Sequence, residues 1–157
     1  MTNREYPKRP VIGVGVCVFN NSRILLVRRK KEPRIGSWSI PGGGQKIGET
    51  IEECARREVR EETGQKITNL ILLDVVNSIS YDKYDKIKYH YTLVEYVCKG
   101  ASSFLRPGSD AADAKWFSKI EFENLRLWQE TKKIILKAYE IDESELVQID
   151  KTLKNSK

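Results

Sequence analysis

A chain of 157 residues is long enough to bury a hydrophobic core without disulfides or a structural metal. With 39% hydrophobic and 32% charged residues, and no apolar run near the roughly 18 residues of a bilayer span, composition excludes both a disordered and a membrane-embedded chain. The net charge of +6 admits a polyanionic partner, but the basic residues are scattered and several fall between Lys151 and Lys157, so nothing singles out nucleic acid over a phosphate-rich small molecule or plain solvent.

The start, Met1 to Arg9, is charged and leads into no uninterrupted apolar region with a small-residue cleavage site, which predicts a cytoplasmic protein with no membrane partner. From Val11 to Phe19 the sequence VIGVGVCVF is dense in β-branched residues, and Asn20-Asn21-Ser22 separates it from ILLVRR at Ile24 to Arg29, which predicts two strands joined by a turn. A polar stretch with Pro33 and Gly36 precedes the short apolar run Trp38 to Ile40. Pro41-Gly42-Gly43-Gly44 then reads as a loop, because neither a helix nor a central strand tolerates that run.

From Glu49 to Thr63 helix formers dominate without Gly or Pro, and Gly64 follows where a left-handed cap is wanted, which predicts a helix. Leu70 to Ser80 and Ile87 to Cys98 read as a long hairpin around the polar Tyr81 to Lys86, and Lys115 to Phe117 as a short strand. Asn124 to Glu140 and Glu143 to Leu153 have helical composition. No repeat or linker divides the chain, so we expect one domain over 1–157, with a core over about 9–141 and a C-terminal helix or tail over 142–157. Cys17, Cys54 and Cys98 have no paired spacing and read as buried thiols, and His90, mid-strand without an acidic neighbour, reads as structural.

The helix carries the chemistry. At about 100° per residue, Ile51, Cys54, Ala55 and Val59 form one apolar stripe, and Glu58 and Glu62 fall within about 20° of its centre, while Glu52, Glu53, Arg56 and Arg60 point away. Glu61 sits on the flank of the same face. Three like charges therefore crowd the C-terminal end of a helix, where the macrodipole already disfavours acids. One guanidinium, Arg57, is expected to hold one of them but not to satisfy all three, whereas a hard divalent cation such as Mg²⁺ takes several carboxylate oxygens.

Read from Gly43 to Gln65, the segment GGQKIGETIEECARREVREETGQ closely resembles the Nudix box: Gly43, Glu49, Arg57, Glu58, Val59, Glu61, Glu62 and Gly64 stand at its marked positions. Gln65 departs from the pattern, which has an aliphatic residue there, and Ile67 is expected to take over its packing. The resemblance implies an α/β fold, the Nudix-type α/β/α sandwich with a mixed β-sheet and a loop-helix-loop catalytic motif. It also implies a pyrophosphohydrolase in which metal ions on these carboxylates hold a diphosphate for attack by an activated water.

Carried over residue by residue, Glu58, Glu62, Glu61 and Gly43 form the metal set, with Mg²⁺ as the ion and Mn²⁺ as a substitute. Arg57 orients the acids, Glu58 and Glu61 are catalytic, and Glu49 reaches the same site or buttresses its loop. The general base is a box glutamate or a later acid; Asp110 is the leading outside candidate, with Asp113 next, and either could equally form an Asx turn. For substrate contacts the sequence offers Arg28, Arg34, Trp38 and Tyr81, with Arg29 beside them.

Overall similarity suggests a nucleoside diphosphate linked to another moiety, ADP-ribose first. However, the proline that marks many ADP-ribose enzymes downstream of the box is missing, and Tyr81 stands there as in many dinucleoside polyphosphate hydrolases. MutT-like cleavage of nucleoside triphosphates, including oxidised ones, stays open. A non-catalytic nucleotide-binding module is disfavoured because every box acid is present, and RNA processing is disfavoured because no arginine-rich stripe with interleaved aromatics occurs. A homodimer is an open alternative, since many relatives pair through the sheet or termini.

Overall fold

In the computed structural model, which describes residues 4–67, 69–108, 111–141 and 146, the elements follow in chain order. They are β1 (Val11–Asn20), β2 (Arg23–Arg29), β3 (Trp38–Ser39), β4 (Gly42–Gly44), α1 (Ile51–Thr63), β5 (Ile71–Tyr81), β6 (Ile87–Lys99), β7 (Ala111–Phe117), α2 (Lys119–Glu123) and α3 (Gln129–Tyr139). Asn21 and Ser22 both take positive φ, 48° and 61°, the pair of left-handed residues that a two-residue turn needs between right-twisted strands.

The sheet runs β3-β2-β1-β6-β5, with β4 paired to β1 and β7 to β2. Strands β1 and β6 are parallel from Val11↔Tyr91 to Phe19↔Lys99, and every other pairing is antiparallel, so the sheet is mixed. Strand β1 is buried on both faces, which is why its sequence is continuously apolar rather than alternating. On one side Val14, Val16 and Val18 pack with Leu25, Val27 and the α1 stripe Cys54, Ala55 and Val59. On the other, Cys17 and Phe19 pack with Ile24, Leu26, Phe122 and the α3 residues Ile134, Ile135 and Ala138. Each fully buried Val, Leu or Ile of these two seams stabilises the fold by roughly 1.5–3 kcal/mol. The result is the α/β/α sandwich with a mixed sheet that the resemblance implies.

Two expectations are corrected. Gly42–Gly44 is a strand and not a loop: it pairs antiparallel with β1 in the register Gly13↔Gly44, Val14↔Gly43 and Gly15↔Gly42. Glycine suits it because the backbones approach so closely that a Cβ at Gly42 would run into the Val14 carbonyl. The helical stretch from Asn124 is also shorter than composition suggests. Ser118 and Glu121 form a capping box that starts the separate short helix α2, the chain turns at Asn124, and α3 begins only at Gln129. The helix read over Glu143 to Leu153 lies outside the described residues apart from Leu146, which is buried against the α3 seam. All three cysteines are buried and free, as expected, and burial pushes the Cys54 and Cys98 thiols up to about 12.

Candidate active site

Thr50 caps α1 by accepting a hydrogen bond from the Glu53 N–H, and the Glu53 carboxylate in turn accepts one from the Thr50 N–H; Gly64 ends the helix at φ 73°. The helix thus begins after Glu49, which belongs to the preceding turn, with its Oε1 accepting from the Lys46 N–H at 2.7 Å. At the far end, the Gly64 N–H donates to the Arg60 carbonyl, while the Arg106 and Gly108 N–H groups donate to the carbonyls of Thr63 and Glu62. The loop before β7 therefore satisfies carbonyls that a helix C-terminus leaves open.

The phase read from sequence is present in the structure. Glu62 is buried at 9% exposure, and the Glu58 side chain is 13% exposed against 43% for Glu61 on the flank. Glu62 Oε2 accepts from the Gly42 N–H of β4 at 3.0 Å. Gly43, next along β4, leaves room for the Glu58 carboxylate, since a Cβ on Gly43 would land on it.

Arg57 does more than the sequence suggests. Its Nε and Nη2 grip Glu49 Oε2 and Oε1 at 2.9 and 2.6 Å, its Nη1 donates to Glu58 Oε1 at 2.6 Å and Glu61 Oε2 at 3.2 Å, and Nη2 also reaches the Gly44 carbonyl at 3.1 Å. Of the three crowded acids it therefore holds two, Glu58 and Glu61, where one is expected, and leaves Glu62 to Gly42; Glu49 is a further partner, because the planar fork presents several N–H donors in different directions. The double hydrogen bond from Arg57 and the backbone bond at Lys46 hold the Glu49 carboxyl down at about 2.

The donor set suits a hard divalent ion: Glu58, Glu61 and Glu62 supply carboxylate oxygens, and β4 supplies backbone close beside them. Among the described residues no three acidic, histidine or cysteine side chains are already drawn together at ligand spacing. Arg57 holds Glu58 and Glu61, and the Gly42 N–H holds Glu62.

The remaining sequence-derived candidates lie in different places. Arg28 is exposed, and its Nε donates to the Gly36 carbonyl at 3.1 Å. Arg29, its neighbour, is the arginine under the influence of Glu62: burial lowers its pKa and Glu62 opposes that shift. Its Nε is tied to the Pro33 carbonyl at 2.9 Å. Arg34, at φ 64°, lies 3.9 Å over the Trp128 ring at the start of α3, a contact that sequence spacing could not reveal. Trp38 packs edge-on against Phe117 on the α3 side of the sheet. Tyr81 is 59% exposed at the tip of the β5–β6 hairpin. Asp113 lies opposite Arg28 in the β2–β7 ladder and pairs with Lys115 at 3.4 Å, whereas Asp110 lies outside the described residues. His90 is half-buried within β6, opposite Ile79.

Gln65, the departure from the box, is buried at 2% exposure and pins the loop after β6: its amide donates to the Phe104 carbonyl and its oxygen accepts from the Ser102 N–H at 3.3 Å. Ile67 packs against the α1-side core, as expected.

Comparison with known proteins agrees with this architecture. The model of the NUDIX domain matches residues 9–138. An ADP-ribose pyrophosphatase of Methanocaldococcus jannaschii is 32% identical over 123 residues, which is 75% of this chain and 70% of that protein. An RNA pyrophosphohydrolase of Caulobacter vibrioides is 40% identical over 85 residues, and there the match spans 52% of this chain and 47% of the relative. The crystal structure of a MutT NUDIX hydrolase from Burkholderia pseudomallei superposes with a TM-score of 0.71 at 26% identity, covering 83% of this chain and 98% of that one. Nudix hydrolases generally use divalent metal ions, and among the described residues no helix is long and apolar enough to cross a membrane. The helix of stacked glutamates, the arginine that gathers them and the glycine strand laid against them are the Nudix box in its fold, and the chain belongs to the Nudix family of pyrophosphohydrolases, which cleave phosphoanhydrides.

Proposed function

We propose that the chain is a Mg²⁺-dependent pyrophosphohydrolase acting on a nucleoside diphosphate linked to another moiety, with ADP-ribose as its substrate. The observation that carries this reading is the Arg57-centred cluster: Glu58, Glu61 and Glu62 present their oxygens at one helix end against backbone that glycine keeps bare. Glu58, Glu61 and Glu62, with the Gly43 backbone, would hold the ion, and Mn²⁺ offers the same oxygen preference. When bound, the ion supplies Lewis acidity and charge neutralisation toward a diphosphate.

The protein's own groups then have separable tasks. Arg57 fixes the rotamers of Glu58 and Glu61, and Glu49 fixes Arg57. Asp110 is proposed as general base, with Asp113 as the alternative. Arg28, Arg34, Trp38 and Tyr81 are the proposed substrate contacts, and the half-buried Arg29 adds a positive charge beside Glu62. The likeness to an ADP-ribose pyrophosphatase over most of both chains supports the choice of substrate. The exposed ring of Tyr81 supports the second reading, a dinucleoside polyphosphate hydrolase, because an exposed aromatic can stack on a second base.

A homodimer is also proposed, through the β5 side of the sheet. This edge strand exposes the apolar row Leu72, Val75 and Ile79 beside Tyr81.

The test of the activity is a panel of ADP-ribose, dinucleoside polyphosphates, nucleotide sugars, nucleoside triphosphates and 5′-triphosphorylated RNA, each with Mg²⁺. Fastest turnover of ADP-ribose to AMP and a sugar phosphate supports the assignment; preference for a triphosphate refutes it.

A further inference from the structure

Glu95, in the middle of β6, is only 6% exposed, and its Oε2 is fully buried with no hydrogen-bond partner among the described residues. An unsatisfied buried polar group is costly, because folding strips its water and returns no partner. A second cost coincides with it. Gly15 of the buried strand β1 is the parallel-register partner of Glu95, and glycine inside a strand forfeits side-chain packing. The reason for glycine there is Glu95 itself: a Cβ on Gly15 would run into the Glu95 carboxylate and come within 2.7 Å of Ile40 Cδ1. The chain clears a position in its central strand to seat a carboxyl whose Oε2 no group among the described residues engages.

The location is informative. Gly15 also pairs with Gly42, whose N–H holds Glu62, so in strand order only β1 separates Glu95 from the strand that anchors Glu62, while Glu95 itself faces the α3 side with Ile40. Ile40 beside it belongs to the α3-side core against which Trp38 packs, a flat ring of the kind that stacks on a base. The titratable groups facing Glu95 are Asp74 of β5 and the Cys17 thiol of β1. Lys137 of α3 is engaged by Asp74 at 3.0 Å, and Ile40 is apolar. Burial, with Asp74 adding to it, pushes the Glu95 carboxyl up to about 7. Near neutrality its acid form is therefore populated, and that form donates through O–H while accepting through C=O.

We propose that Glu95 is a specificity-determining residue that reads the nucleobase, pairing with an edge that sets an acceptor beside an amino donor, as adenine does with N1 and N6. The assignment rests on the nucleoside diphosphate reading above and adds to it the base and the residue that selects it.

The test uses the intact protein with isotope-labelled glutamate carboxyls, followed by NMR across pH with Mg²⁺ present. AMP is the probe and ribose 5-phosphate the base-free control. The Glu95 titration moves upward with AMP and stays in place with ribose 5-phosphate. Glu95→Ala weakens AMP binding by about ten-fold or more, the loss of one good hydrogen-bonding group. Glu95→Gln keeps it within about three-fold and loses the wild-type decline in base-dependent affinity as pH rises through neutrality. A Glu95 titration that AMP leaves in place, moves downward, or moves no more than ribose 5-phosphate does overturns the assignment, and so does absence of AMP binding. The labelled wild-type protein keeps the test independent of how the variants fold. Should the protein hydrolyse no nucleoside diphosphate while AMP moves the Glu95 titration, the activity reading falls and base recognition stands; turnover of ADP-ribose with Glu95 unmoved gives the reverse.

Discussion

Arg57 and Glu49 form a two-pronged ion pair across the start of α1, with Nε to Oε2 at 2.9 Å and Nη2 to Oε1 at 2.6 Å. Because both groups are only 15% exposed, the pair is shielded enough to act as a fixed mount, from which the free Nη1 edge reaches Glu58 and Glu61. The order of the site thus runs from Glu49 to Arg57 to the acids that would meet the ion.

Arg57→Ala should lower kcat and metal affinity by roughly ten- to a hundred-fold, the usual scale for groups that orient ligands rather than ligate. Arg57→Lys should recover only part of the loss, since a single ammonium cannot grip Glu49 with two prongs and bridge two further carboxylates. Metal titrations of turnover check this; an alanine variant with wild-type metal dependence would contradict it.

The same pair sets an acid limb. The Glu49 carboxyl titrates at about 2 in the fold against 4.5 ordinarily, so the unfolded chain binds its proton first as pH falls. The stabilisation is complete above about 4.5 and is lost as pH drops toward 2. Denaturant midpoints measured across that window should fall more steeply for wild type than for Glu49→Gln.

Glu95 has the opposite sign. Its folded carboxyl titrates near 7 rather than 4.5, so the folded state holds the proton longer, and stability should decline as pH rises from about 4.5 to about 7, then level off. The full span is roughly 3 kcal/mol, from about 1.4 kcal/mol per pKa unit. Glu95→Gln should flatten that slope without changing the Glu49 limb, which urea unfolding at a series of pH values would show.

Two neighbouring glycines should fail differently. Gly43→Ala puts a methyl on the Glu58 carboxylate, a flexible side chain that can move, so activity should fall at least ten-fold while the fold persists. Gly42→Ala meets the Val14 backbone, so it should lower stability by at least the 1–3 kcal/mol, approximately, of an overpacked core. Paired thermal melts and rates distinguish the two.

Much of this was legible in sequence because it is local. The phase of Glu58 and Glu62, the Gly64 cap, the β1–β2 turn and the β5–β6 hairpin all follow from residues close in the chain. What escaped depends on pairing between distant segments. Gly42–Gly44 looks like a loop until β1 is laid beside it, Arg29 matters through Glu62, and Glu95 acquires meaning only over Gly15. The break at Asn124 is a different case: the capping box of Ser118 and Glu121 is local, but the reading over Asn124 to Glu140 rests on helical composition alone, which does not mark where a helix starts.

The central claim is that Glu58 and Glu62 carry a divalent ion for phosphoanhydride cleavage. Its most direct test is the rate of ADP-ribose hydrolysis by wild type, Glu58→Gln and Glu62→Gln across a Mg²⁺ titration, with folding confirmed by thermal melts. The account predicts that chelation abolishes wild-type turnover, and that each folded variant loses at least about a hundred-fold in kcat, on the order of 3 kcal/mol. Folded variants that turn over at the wild-type rate, or wild-type turnover that survives chelation, would contradict it.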